Sequence, residues 1–191
     1  MSGGGKARGR PRDPAVGEAA LRETLALLDK HGYDGLRVAD VARDAGIGLN
    51  SLYRRWPTKY ALVVEALRAA ASHHEVEPTD DPVEDVMVGL MKIVAGLGHR
   101  AAPLLAVLLT DPSSELASAV REAKVAPFLV ANRERVRRVL GSVPDLDARA
   151  DAGPALVVLH MMIHGSSPDE AMMRDQILPV MLGAAAQRPA E

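Results

Sequence analysis

The chain lacks cysteine altogether, and beyond histidine its aromatic side chains are only Tyr33, Tyr53, Trp56, Tyr60 and Phe128. Without cysteine there are no disulfides, thiolate metal sites or cysteine nucleophiles, and the composition fits a reducing, cytoplasmic compartment. With so few rings, a chain that is 48% hydrophobic must build its core from Leu, Val, Ala and Met. Long apolar runs are missing as well. Pro103–Leu109 and Pro154–Ile163 each reach about half of the ~20 residues that a spanning helix needs, so no membrane partner is expected. The segment Met1–Arg12 is basic and Gly-rich, with no apolar stretch behind it, and does not read as a signal peptide. Enzyme signatures are also wanting. There is no phosphate loop of the GxxxxGK[ST] type, and GLGHR at Gly96–Arg100 lacks dinucleotide-fingerprint spacing. With no nucleophile–base pair and no metal cluster, the sequence points to a protein that is not an enzyme and carries no cofactor and no metal.

The charge is unevenly spread. Residues 1–60 hold 11 Lys/Arg against 7 Asp/Glu, whereas residues 61–191 hold 12 against 18. A basic front on an acidic body suggests that the front meets a polyanion.

Periodicity predicts an all-α fold of about nine helices. Residues 1–12 read as a disordered basic arm carrying Lys6, Arg8, Arg10 and Arg12. Asp13-Pro14 starts a helix whose stripe is Leu21, Thr24, Leu25 and Leu28, and Gly32 stands where it should stop. A second helix covers Val38–Ala45 and a third Leu49–Trp56, with Gly46-Ile47-Gly48 between them. Pro57 bounds the third, and Thr58 can cap a fourth running to Ser72. Residues 13–60 thus form one small domain and residues 61–191 a larger helical one. In the larger domain Asp81-Pro82 starts a helix to about Gly98, followed by a short apolar helix at Pro103–Leu109. Asp111-Pro112 starts a long helix to Leu140 that Pro127 should kink. The last two helices are expected at Leu146–His164 and Pro168–Ala186.

Val38–Trp56 meets the physical requirements of a helix-turn-helix. Ala42 is small at the crossing point, Gly46 permits a left-handed turn, and Val41, Ala45, Ile47 and Leu52 can form the shared seam. The second of these helices presents Leu49, Asn50, Ser51, Tyr53, Arg54 and Arg55 outward or at its edge. Short polar side chains at its N-terminal end suit the major groove. Asn50 can pair with adenine, Ser51 is permissive, and Leu49 can touch a thymine methyl. Arg54 and Arg55 read equally as a solvated face, and Trp56 as a wedge anchoring the small domain.

The strings GRPRDPA (Gly9–Ala15) and DGLRVADVARDAGIGLNSLYRRWPTKYALVVEAL (Asp34–Leu67) give residues 10–67 a sequence that resembles the TetR family of bacterial regulators. The stretch LYRRWPTKYAL (Leu52–Leu62) is the most telling. The resemblance implies phosphate contacts from Tyr53 and Lys59, with Thr58 beside them, and a recognition-helix start at Leu49, Asn50 and Ser51. Arg37 stands where the family often has a hydroxyl residue, losing a small cap but offering a further phosphate contact. Gly48 stands where a capping serine is common. Arg8, Arg10 and Arg12 of the arm can enter a neighbouring minor groove, as basic arms do.

By the same resemblance the body binds a small-molecule effector, hydrophobic or amphiphilic, and pairs into a homodimer through its last two helices. Their sequences look apolar on more than one side: Leu156, Val157, Leu159 and Ile163, then Met172, Ile177, Leu178, Val180 and Met181. Candidate pocket residues are Met87, Met91, His99, Leu105, Phe128, Asn132 and Met161. The function implied is a sequence-specific regulator of operator DNA, usually a repressor. The alternative is a constitutive or architectural DNA-binding protein without an effector. His160 and His164 share a helix face at metal-ligand spacing, but H-M-M-I-H lacks the acid of a zinc-protease motif, and core or interface histidines are the plainer reading.

Overall fold

The computed structural model describes residues 14–71, 78–96 and 102–184; the basic arm lies outside them. Among the described residues every regular element is helical, with no strand. The chain divides into two compact units, Met1–Ala66 and Leu67–Glu191.

The first unit holds α1 (Pro14–Gly35), α2 (Val38–Asp44), α3 (Leu49–Arg55) and the start of α4 (Lys59–Ala71). Gly32, at φ 66°, leaves helical geometry inside α1, which is where the sequence places the stop. The α1 seam is Ala20, Thr24 and Leu28, all buried, with Leu21 and Leu25 half-buried. Thr24 is tolerated there because its hydroxyl donates to the Ala20 carbonyl at 2.7 Å.

The second unit holds α5 (Pro82–Gly96), α6 (Ala102–Thr110), α7 (115–140), α8 (Leu146–His164) and α9 (170–182). Its core joins Met87 and Leu90 of α5, Val136 of α7, Ala150 and Val157 of α8, and Met173, Ile177 and Met181 of α9. Each fully buried Leu or Met side chain contributes about 2 kcal/mol. Two expected starts move downstream. Asp111-Pro112 forms a turn, and α7 begins only after Ser114, whose Oγ accepts from the Ala117 N–H at 3.1 Å. Asp169, rather than Pro168, caps α9 by accepting from the Met172 N–H at 2.8 Å.

The kink expected at Pro127 takes a specific form. α7 passes through a π-helical turn, Arg121–Val125, and α9 through another, Met173–Ile177. Each turn ends two residues before a proline, Pro127 and Pro179. A proline ring clashes with the carbonyl four residues back, here that of Ala123 or Asp175, and one extra residue in the turn moves that carbonyl aside. Pro154 in α8 is handled differently. It cannot donate to the Ala150 carbonyl, and the buried Asn132 does so instead, through Nδ2 at 2.6 Å.

Candidate nucleic-acid interface

The α2–turn–α3 junction is closed by two backbone hydrogen bonds. The Ile47 N–H donates to the Ala42 carbonyl at 2.8 Å and the Gly46 N–H to the Arg43 carbonyl at 3.1 Å. Gly46 lies at φ 67°, the left-handed conformation that this helix ending requires. Val41, Ala42 and Leu52 are buried at the crossing, and Ala45 and Ile47 are half-buried. Gly48 is the N-cap of α3 and supplies no side-chain oxygen, so this helix starts on backbone hydrogen bonds alone: Ser51 and Leu52 donate to the Gly48 carbonyl at 2.9 and 3.1 Å.

With Leu52 turned inward, the rest of α3 faces out. Leu49, Asn50, Ser51, Tyr53 and Arg54 are all exposed, the first residue and the tyrosine at 40% and 43%. Arg54 Nη2 reaches Ser51 Oγ at 3.5 Å. Arg37 is the exposed N-cap of α2 and makes no capping hydrogen bond. Thr58 is an N-cap as expected, its Oγ1 accepting from the Ala61 N–H at 3.0 Å. Arg8 and Arg10 lie outside the described residues.

Two side chains have partners that sequence spacing did not suggest. Lys59 is half-buried. Its Nζ donates to the Tyr33 carbonyl at 3.0 Å and lies 4.3 Å from the centroid of the same ring. One ammonium proton is therefore spent on the end of α1, leaving two donors for an outside acceptor. The Arg55 guanidinium sits 5.3 Å from the centroid of the buried Trp56. It lies so near Gly17 that a β-carbon there would come within 2.5 Å of it. A glycine one helix away is the signal in the sequence, legible only once α1 and α3 are known to touch.

In the second unit the candidate pocket residues differ in exposure. Met87 is packed in the core and Met161 lies half-buried against it. Asn132 is the buried partner of the Ala150 carbonyl, Phe128 is half-buried, and Met91 is 40% exposed. Leu105 belongs to α6, although its side chain lies outside the described residues, as His99 does entirely. A polar cluster missed in the sequence joins three segments. The buried Asp85 carboxylate accepts from the Thr79 N–H and hydroxyl and is ion-paired to Arg138, which also donates to the Thr79 carbonyl at 2.7 Å. Burial works to raise the Asp85 pKa, but the Thr79 hydroxyl, the Thr79 N–H and Arg138 outweigh it and hold the carboxyl below its ordinary value.

One face of α8 is apolar and open. Ala155, Val158, Leu159, Met162 and Ile163 recur at helical spacing and are exposed, Met162 and Ile163 to 67% and 66%. Val180 of α9 is 54% exposed. Among the described residues no helix is long and apolar enough to cross a membrane.

Residues 20–66 match the family model of bacterial regulatory proteins, tetR family. An HTH-type transcriptional regulator of Mycobacterium tuberculosis is 34% identical over 105 residues, 52% of this chain and 52% of that relative; the match thus spans about half the length of that relative. The HTH-type transcriptional repressor KstR of Rhodococcus jostii is 27% identical over 180 residues, 88% of this chain and 84% of that one. In fold, the chain is similar to the crystal structure of the TetR family transcription regulator SCO0332, with TM-score 0.62 and 22% identity over 91% of this chain and 99% of that one.

Proposed function

We propose that the chain, whose residues 20–66 match the model of the tetR family of bacterial regulatory proteins, is a TetR-family, sequence-specific DNA-binding transcriptional regulator that inserts α3 into the major groove of operator DNA. The observation that carries this reading is the outward face of α3. Leu49, Asn50 and Ser51 open the helix and are exposed, on a turn locked by Gly46. Asn50 has the donor–acceptor pair that matches adenine, and Leu49 the apolar end that matches a thymine methyl. Tyr53, Arg54, Thr58, Lys59 and Arg37 surround them with phosphate donors, which set register and affinity without reading sequence.

The exposed α8 stripe, with Val180 of α9, supports a homodimer through the last two helices, because an apolar stripe of this length seeks a second burial surface. A dimer places two copies of α3 in half-sites about 34–36 Å apart, or a multiple of that. Repression, and release by a hydrophobic or amphiphilic effector bound in the second unit, complete the reading. The repressor name of the Rhodococcus relative supports the first, and the methionine-rich helices of the body the second. Such a ligand acts only if it binds the two conformations of the dimer unequally.

Fluorescence anisotropy with DNA from upstream of the chain's own gene, against a scrambled duplex at two salt concentrations, tests the reading. Selective binding that persists near physiological salt supports it. Equal binding to both duplexes, lost as salt rises, favours the architectural alternative.

A further inference from the structure

His160 and His164 lie on α8 in the second unit, apart from the DNA-reading residues of the first. They stand one turn apart on α8, with ring centroids 4.4 Å apart and planes tilted by 40°. Both continue the seam that Ala150, Gly153 and Val157 bury in the core, seven residues on from Gly153 and Val157 respectively. The packed core stops short of them: His160 is half-buried and His164 exposed. The two rings contact each other.

Two imidazoles so placed make a chelate. A metal–imidazole bond of about 2.0–2.1 Å puts the ion roughly 3.2 Å from each ring centroid. One shared ion therefore needs centroids about 4.5 Å apart at a right angle and about 5.2 Å apart at the tetrahedral angle. The observed 4.4 Å fits the first, and a small side-chain rotation reaches the second. The end of the helix adds a second attraction for a cation. His164 is the last residue of α8, followed by Gly165 in the left-handed cap conformation. The final carbonyls of a helix carry its negative partial charge.

We propose that His160 and His164 chelate one divalent first-row transition-metal ion of the zinc, nickel or copper class, through one nitrogen of each ring. Imidazole suits these ions. Among the described residues no third histidine or carboxylate joins the pair. The ion therefore keeps open coordination positions, which water or a chelating small molecule can fill. The proposal stands apart from the DNA-binding reading, because metal uptake is measured without DNA.

The test is calorimetric titration of zinc chloride into the full chain stripped with EDTA. Electron paramagnetic resonance of the copper(II)-loaded protein accompanies it. The variants are His160→Ala, His164→Ala and, as a control, His73→Ala with His74→Ala. Thermal melts establish that each variant folds, and His160→Gln replaces His160→Ala if that variant does not. The expected result is one ion per chain and two nitrogen couplings on copper. Affinity should fall about a hundredfold when either arm of the chelate is removed, with no change in the control. No uptake, uptake indifferent to His160 or to His164, or uptake lost only in the control would overturn the proposal.

Discussion

Asn132 donates its side-chain amide to the carbonyl of Ala150 at 2.6 Å, the carbonyl whose helical partner would be the N–H that Pro154 does not have. A polar residue placed by sequence in a ligand pocket thus has a structural role: it lets proline sit inside α8 without stranding a buried acceptor. Asn132→Leu should cost about 2–3 kcal/mol, the penalty for an unsatisfied buried group. Pro154→Ala restores the backbone donor, so in that background the same substitution should cost clearly less. Urea unfolding of the four proteins in the cycle measures the coupling; additive effects would show that the two residues are independent.

Gly46 should resist replacement. At φ 67° an L-residue meets its own carbonyl, a cost of about 1–2 kcal/mol, even though nothing lies within 4 Å of an added β-carbon. Gly46→Ala should lower the unfolding midpoint of the first unit, whereas Gly48→Ser, at an ordinary φ of −62°, should raise it by supplying the missing cap. Equal effects from the two substitutions would contradict this account of the turn.

The Asp85 cluster carries a pH dependence. Its carboxyl is held below the ordinary value by Thr79 and Arg138 against the opposing effect of burial. The stabilisation is therefore complete above the unfolded carboxylate pKa, about 3.9, and disappears as pH falls through the lower folded value. Asp85→Ala should destabilise by about 2–3 kcal/mol at neutral pH, and the gap between wild type and variant should close in acid. Denaturant midpoints across pH 2–7 check the sign; a gap that widens in acid would refute it.

The open face of α8 predicts assembly. Met162→Lys with Ile163→Glu adds charge to positions already 67% and 66% exposed, so each chain should keep its fold and the dimer should dissociate. Sedimentation velocity distinguishes the two species. An unchanged sedimentation coefficient would place the dimer surface elsewhere.

Much of the fold was legible because local signals agreed. Gly46 between two apolar stripes marked α2 and α3, and the predicted bounds of α8 coincide with those observed, Leu146–His164. What stayed hidden depends on contacts between distant segments. Asp111-Pro112 and Ser114 are both plausible helix starts by residue type, and only the hydroxyl bond to Ala117 decides between them. The burial of Asn132, the bond from Lys59 to the Tyr33 carbonyl and the approach of Arg55 to Gly17 each join residues far apart in the chain, so periodicity carries no trace of them. The candidate pocket residues were chosen by type, which does not fix burial: Met87 and Asn132 are buried and Met91 is exposed.

The most direct test of the central claim is selection of DNA sites from a random duplex pool by the wild-type chain, by Asn50→Ala and by Lys59→Ala. The account predicts that the wild type enriches a two-fold related motif. Asn50→Ala should lose or change the preference at one base pair of each half-site, with a discrimination loss of about 1–3 kcal/mol. Lys59→Ala should enrich the same motif with weaker affinity and a salt slope smaller by about one. Failure of the wild type to enrich any motif, or an unchanged motif with Asn50→Ala, would contradict the assignment of α3 as the element that reads the bases.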